Sequence, residues 1–559
     1  MYRLITAVFF GVVTLSACKD STTTAPSNSS ITTVSAEPSA QDFVTHNETY
    51  NPEAVIPPQC YTKTEGANNP CYVCHQSYLG EKTRPNMMND GFLQGSYDFS
   101  DIGNTNRWSN LFKNRSAEIG EISDEFMLDY INQDNYSALV DWFATDAWQG
   151  QAPAIDSLAD GAKAFDNKGL ALDGSRWVAF NYKPLPSTFW PTNGSTDDVM
   201  IRLPPAFSEI DGEFSEDVYF ANLALLEMAM TELSSVSTIA LNEVESQVDF
   251  NGNGSLETSV SEIKYQNHYF GDASDIVTTY MLYPEGTEFL HSVRYVGIDG
   301  EEIVNARRMK EVRYMRKHTF MPKERLKNSY YREAKEKHFG NLPAVSSHGD
   351  RGTSNGMGWL LWGFIEDAKG ELRKQNEQEQ FFCMGCHKTI GTTIDSTFAF
   401  ARKQRGSEGW GYIDLKALRD APNLGESKGE YLTYMERVGG GDEFRQNGEM
   451  LERWFDAQGK LDHTKVATAE SIYDLVAPSK RRALDLNKAY FRIVQEQSYL
   501  FGRDAVLSPA KNVYREIDTA IEPLAGEFRY QWDIRLDWHA TDTLNVTALQ
   551  TNETKETTP

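Results

Sequence analysis

The sequence predicts an α+β multidomain chain in which two mainly helical segments, each holding a C-x-x-C-H pentapeptide, are separated by a strand-rich insert. Three observations carry this expectation. "NNPCYVCHQ" sets Cys71, Cys74 and His75 in that order. "FFCMGCHKT" repeats the arrangement at Cys383, Cys386 and His387, 312 residues later. Between them the pattern changes from helical periodicity to alternating or wholly apolar runs. With 559 residues, 40% hydrophobic and 12% aromatic, the chain can bury roughly two or three cores.

The chain opens "MYRLITAVFFGVVTLSACKD", in which Arg3 precedes an apolar run from Leu4 to Ala17. That run is too short to span a bilayer and reads as an export signal over residues 1–17. Leu15, Ser16, Ala17 and Cys18 resemble the lipobox of bacterial lipoproteins, which implies lipidation of Cys18 and attachment to a membrane through that anchor. Residues 18–45 are rich in Ser, Thr, Ala and Pro, cannot form a core, and suit a flexible tether. Lys at position 19 resembles the sorting pattern that favours the outer over the inner membrane. The expected location is therefore the cell envelope, lipid-anchored and facing the periplasm.

Residues 46–166 form the first predicted helical segment, with "SDEFMLDYINQDNYSALVDWFA" read as helix. Residues 167–322 form the strand-rich insert, through "RWVAFNY", "DVMIRLP", "SEIKYQNHYF" and "HSVRYVGI". Residues 323–505 return to helix: "KERLKNSYYREAKEKH", then "GWLLWGFIEDAKGELRKQNEQEQFF" leading into Cys383, then helices around 431–455 and 480–497. Residues 506–559 hold a closing strand pair near "GEFRYQWDIRLDW" and a polar, disordered tail.

Of six cysteines, four fall inside the two pentapeptides. Haem c carries two vinyl groups, each able to take one thioether, and two intervening residues set the sulfurs about one turn apart. The next residue, His, is then carried under the porphyrin. A four-cysteine zinc site does not need a His after both pairs, and a dithiol oxidoreductase keeps its pair in one compact domain. Both motifs resemble the attachment site of c-type cytochromes. The resemblance implies two covalently bound haem c groups, with His75 and His387 as proximal iron ligands. It also implies a dihaem cytochrome lipoprotein that transfers electrons between redox partner proteins, among them other cytochromes. The alternative is a haem oxidoreductase with one open-site haem, either peroxidase-like or a reductase or oxidase of a small sulfur or nitrogen anion.

Distal residues decide between these readings, because an open sixth site can bind a substrate. For the first haem the residues in view are Met87, Met88, His46 and Cys60; for the second, His348, Met357, Met435, Met450 and His463. Cys60 reads either as a thiol, buried or paired between molecules, or as a distal thiolate. "DFNGNGSLE" matches the start of a calcium loop, with oxygens from Asp249, Asn251, Asn253 and Glu257, although its twelfth position is Val260. An Asn/Gly turn without metal is the other reading. From Ala306 to His338 there are twelve Lys/Arg against four acids. Arg308, Lys310, Arg316 and His318 could there hold haem propionates or an anionic substrate, or simply form a solvated face. The net charge of −26 argues against nucleic acid as a partner.

Overall fold

A computed structural model describes residues 56–76, 90–187, 190–341, 345–439 and 447–540. The signal, Cys18, the tether, His46, Met87, Met88 and the polar tail lie outside the described residues. The strands are β1 (Val178–Ala179), β2 (Thr196–Arg202), β3 (Glu209–Ile210), β4 (Glu213–Phe214), β5 (Ser235–Leu241), β6 (Val260–Lys264), β7 (Glu288–Asp299), β8 (Glu302–Lys317), β9 (Ser346–Ser347), β10 (Thr353–Ser354), β11 (Trp359–Glu366) and β12 (Leu372–Lys374). The helices are α1 (Ser116–Gly120), α2 (Asp124–Ile131), α3 (Ser137–Phe143), α4 (Glu216–Thr231), α5 (Glu243–Ser246), α6 (Lys323–His338), α7 (Glu377–Met384), α8 (Glu430–Val438), α9 (Gly448–Trp454), α10 (His463–Val466), α11 (Ile472–Val476) and α12 (Lys480–Glu496).

Eight strands form one antiparallel sheet in the order β1-β2-β7-β8-β11-β10-β9, with β12 paired to β11. The long β7–β8 hairpin is its spine, closed by the two residues Gly300 and Glu301 between paired Asp299 and Glu302. Gly300 takes φ 60° there, the left-handed conformation such a tight turn requires. Both faces of the sheet are buried. Ile201, Phe289, Met315 and Leu361 join a core that also contains Tyr72, Val73 and Met384. Met200, Leu290, Tyr314 and Trp362 pack on the opposite face with Leu139 and Phe143 of α3. Strands covered on both faces lose the in/out alternation that marks a half-exposed strand.

This architecture corrects the expected layout. Residues 47–559 form one unit, and β9 to β12, from the predicted second helical segment, extend the sheet of the insert. The insert is thus not a separate domain between two helical ones. The stretch 358–382, read as helix, is a strand, a turn, a short strand and then α7. Its apolar run "WLLWGFIE" is β11, almost wholly buried, where neither period 2 nor period 3.6 shows in the sequence. The basic run 306–317 is the second half of β8. The segment 525–536 forms no strand pair: it holds a 3-10 turn at Gly526–Phe528 and a single bridge from Leu536 to Asn423. Helices α2, α3, α6 and α12 lie where periodicity put them.

Candidate functional site

Each C-x-x-C-H motif folds as one tight turn, and the two turns are bonded alike. Around the first, the amides of Cys74 and His75 donate to the Cys71 carbonyl at 3.2 and 2.9 Å. Around the second, the amides of Cys386 and His387 donate to the Cys383 carbonyl at 3.2 and 2.9 Å. The carbonyl after the turn is held in the same way at both: Gln94 Nε2 donates to His75 O at 2.7 Å, and Asn355 Nδ2 to His387 O at 2.7 Å.

Local sequence explains each turn. Asn69 caps the first, its side-chain oxygen accepting from the Tyr72 amide at 3.1 Å while Pro70 opens the turn. The remote C-terminal segment closes it, since Asn69 Nδ2 donates to Phe528 O at 2.7 Å and Trp532 Nε1 to Tyr72 O at 2.8 Å. The second turn continues α7, which begins with a reciprocal capping box between Asn376 and Glu379. Arg373 grips Glu379 through both carboxylate oxygens, at 2.8 and 2.9 Å, and so fixes the start of the helix that ends in Cys383.

The imidazoles have different settings. His387 Nδ1 donates to the Ser396 carbonyl at 2.9 Å; because a carbonyl only accepts, this bond fixes the proton on Nδ1. Burial, joined by the nearby charges of Arg313 and His291, pushes His387 down to about 4 against the pull of that carbonyl. The carbonyl is presented by a tight turn in which both central residues, Asp395 and Ser396, take left-handed φ of 47° and 63°. Non-glycine residues there cost about 1–2 kcal/mol each. The turn is held by Asp395, which pairs with the buried Lys317 at 2.5 Å and accepts from the Tyr283 amide at 3.0 Å. At the first turn, Asp90 Oδ2 lies 3.4 Å from His75 Nδ1, without the geometry of a hydrogen bond.

The structure brings the two motifs together. The Thr392 amide, in the loop after the second motif, donates to Cys74 O at 3.3 Å. Asp90 accepts from the Gln76 amide at 2.9 Å and the Gly391 amide at 3.2 Å, bridging both loops. Cys60 sits with them, its thiol pushed up by burial and then by the neighbouring Cys71 and Cys386. Burial likewise leads the upward shifts of Cys74 and Cys383, and of Cys71 and Cys386, both to about 11. The five cysteines among the described residues nevertheless keep part of their surface accessible, and none of them is in a disulfide.

One face of the sheet fronts the second motif. His291 on β7 and Arg313 on β8 are paired across the strands. His291 Nε2 lies 3.1 Å from Asp197 Oδ2, an atom that also accepts from the Tyr182 hydroxyl. Glu311 meets Arg313 at 2.9 Å and Arg503 at 3.0 Å, and these cations hold its carboxyl down at about 2 against the effect of burial. Sequence reasoning missed this row. Its members are scattered polar residues, His291 in the apolar start of β7 and Glu311 and Arg313 in the basic run of β8, with no period to mark them.

The other residues singled out in the sequence fall elsewhere. Met435 is buried on α8, which packs beside the first motif, where the Asn69 amide donates to Arg437 O at 2.9 Å and the rings of Tyr72 and Tyr434 are 6.5 Å apart. His348 is exposed on the turn between β9 and β10, Met357 packs with Leu282 and Leu326, and His463 lies 3.5 Å from Glu436. Arg308 is buried against Glu366 at 2.6 Å, and Lys310 donates to Gly194 O at 2.5 Å, so both serve the core.

The loop 249–257 gathers Asp249, Asn251, Asn253 and Glu257. Asp249 accepts from the amides of Gly252 and Gly254 at 2.8 Å and Asn253 at 3.2 Å. Asn251 and Asn253 turn their NH2 groups to Glu257 Oε2, at 2.9 and 3.2 Å. Val260, at the twelfth position, is buried at the start of β6. The loop satisfies its own polar groups, as an Asx-turn does.

This α+β unit with two C-x-x-C-H turns matches, over residues 44–474, the model of a lipoprotein family, and the chain belongs to that family. It is 31% identical over 548 residues to an "Uncharacterized lipoprotein" of Aquifex aeolicus (strain VF5), spanning 86% of this chain and 91% of that protein. No solved structure matches. Among the described residues no helix is long and apolar enough to cross a membrane.

Proposed function

We propose that this lipoprotein is a dihaem c-type cytochrome, anchored through Cys18 at the cell envelope, that passes electrons between redox partner proteins. The observation that carries the reading is the pair of like-bonded C-x-x-C-H turns joined through the Thr392 amide and Cys74 carbonyl, 3.3 Å apart. The residues fit covalent haem. Cys71 and Cys74, and Cys383 and Cys386, are partly accessible free thiols, one pair in each turn. His387, with its proton held on Nδ1 by Ser396, keeps a lone pair on Nε2 for iron. Haem bound there would supply one-electron chemistry. The protein's own part is positional: Gln94 and Asn355 hold the carbonyls behind each histidine, and Asp90 ties one loop to the other. Two attachment turns this close favour a relay of electrons within one chain.

A second reading, an oxidoreductase acting at the second motif, is favoured by His291 and Arg313. A histidine backed by Asp197 and Tyr182 can hold and move a proton, and a guanidinium beside it can bind a small anion.

The test is a pyridine haemochrome assay on protein matured with haem c. Two covalent haems per chain are expected, falling to one in Cys71→Ala/Cys74→Ala and in Cys383→Ala/Cys386→Ala. No covalent haem would refute the proposal. Carbon monoxide binding to the reduced protein, altered in His291→Ala, would select the second reading.

A further inference from the structure

We propose that the outward face of α6 docks on an anionic membrane surface and sets the orientation of the anchored protein. The proposal rests on membership of the lipoprotein family and not on the haem reading.

Helix α6 is held from one side by Leu326 and Tyr330, one turn apart and both buried. Its charges are sorted by side. Arg325, Lys327, Arg332 and Lys335 are exposed on the side away from these two, with Glu324 as the one exposed acid, whereas Lys337 lies in line with Leu326 and Tyr330 and its charge reaches Cys60. Of the other two acids, Glu333 turns inward to pair with Lys388 at 2.9 Å, and Glu336, half-buried, accepts from the exposed Asn341 Nδ2 at 2.6 Å. Two large rings stand among the exposed cations, Tyr331 at 71% and Phe339 at 67% exposure. A cluster of basic side chains on one face of a helix is the kind of patch that an anionic lipid surface attracts, and the exposed rings beside it add apolar contact.

The rest of the molecule makes this face distinctive. A chain of net charge −26 is repelled as a whole by an anionic surface, and α6 offers it an attractive approach. The stretch from Cys18 to Asn47 can reach about 100 Å when extended, so the anchor alone leaves orientation open. Lys388 follows directly on His387, and its pairing with Glu333 ties the docking helix to the second motif.

The experiment uses the chain from Lys19 onward, which lacks only the signal and the anchor residue. Sedimentation is measured with vesicles of phosphatidylcholine, with and without phosphatidylglycerol. Salt-sensitive binding only to the phosphatidylglycerol vesicles is expected, weakened about tenfold or more in Lys327→Glu/Lys335→Glu and also weakened in Tyr331→Ser/Phe339→Ser. Lys163→Glu/Lys369→Glu, at exposed positions elsewhere, controls for net charge and should bind nearly as the parent does. Absence of binding to anionic vesicles, or equal loss in the control, overturns the proposal. Capture by polyglutamate without vesicle binding would overturn it in favour of an acidic protein partner.

Discussion

The Gly391 amide donates to Asp90 Oδ2 at 3.2 Å, and a Cβ at Gly391 would run into Asp90 Oδ1, with Gln76 O at 2.6 Å. The loops that follow the two C-x-x-C-H turns therefore approach too closely for any side chain. Gly391→Ala must push them apart, and overpacking of this kind costs about 1–3 kcal/mol. Thermal denaturation should show a clear fall in Tm; an unchanged Tm would mean that the loops separate freely.

Met435 offers a test of the distal positions. It is buried on α8 beside the first motif, within a core it shares with Tyr434 and Trp454. Met435→Leu conserves volume and should cost less than about 1.5 kcal/mol. The visible spectrum of the haem-loaded protein is expected to stay unchanged. A spectral shift confined to one haem would identify Met435 as an iron ligand.

A pH prediction follows from Glu496, at the end of α12. Burial alone would raise its carboxyl, but Arg115 at 2.8 Å and Lys113 at 2.9 Å hold it down at about 2, below the ordinary 4.5. A group whose folded pKa is depressed contributes stability above its unfolded pKa and loses it as pH falls through the folded value. Denaturant titrations should show that Glu496→Gln flattens the decline between pH 4.5 and about 2. Parallel declines in parent and variant would remove this pair from the account of acid stability.

The loop at Asp249 separates a turn from a cation site. Asp249→Ala deprives three backbone amides of their acceptor and should lower stability by roughly 1–2 kcal/mol. Because the loop already satisfies its polar groups, adding Ca2+ to dialysed parent protein should leave Tm unchanged. A Ca2+-dependent rise that vanishes in the variant would instead make it a calcium loop.

What the sequence disclosed was local. The two pentapeptides, the amphipathic faces of α6 and α12, and the strands β2, β6 and β7 could be read from spacing alone, since each pattern repeats within a few residues. The merging of the expected segments could not. β11 is buried on both faces, so its apolar run carries no period, and its partner β8 is a basic run whose Arg308 and Lys310 find acceptors only in the folded chain. The meeting of Cys60, Cys74 and Cys386 depends on Gly391 and Thr392, residues without chemical character of their own. Likewise, the turn that orients His387 uses Asp395 and Ser396 where Asn-Gly would have announced it.

Trp532 donates to the carbonyl of Tyr72 across 460 residues of chain. Because synthesis and export run from the N-terminus, the first C-x-x-C-H turn emerges long before the residues that seal it. Until 528–532 arrive, Cys71 and Cys74 stand in an unfinished wall, open to whatever must reach them. The bonds that close the first turn thus cannot form before residues 528–532 have been made, and the C-terminal segment is what completes it.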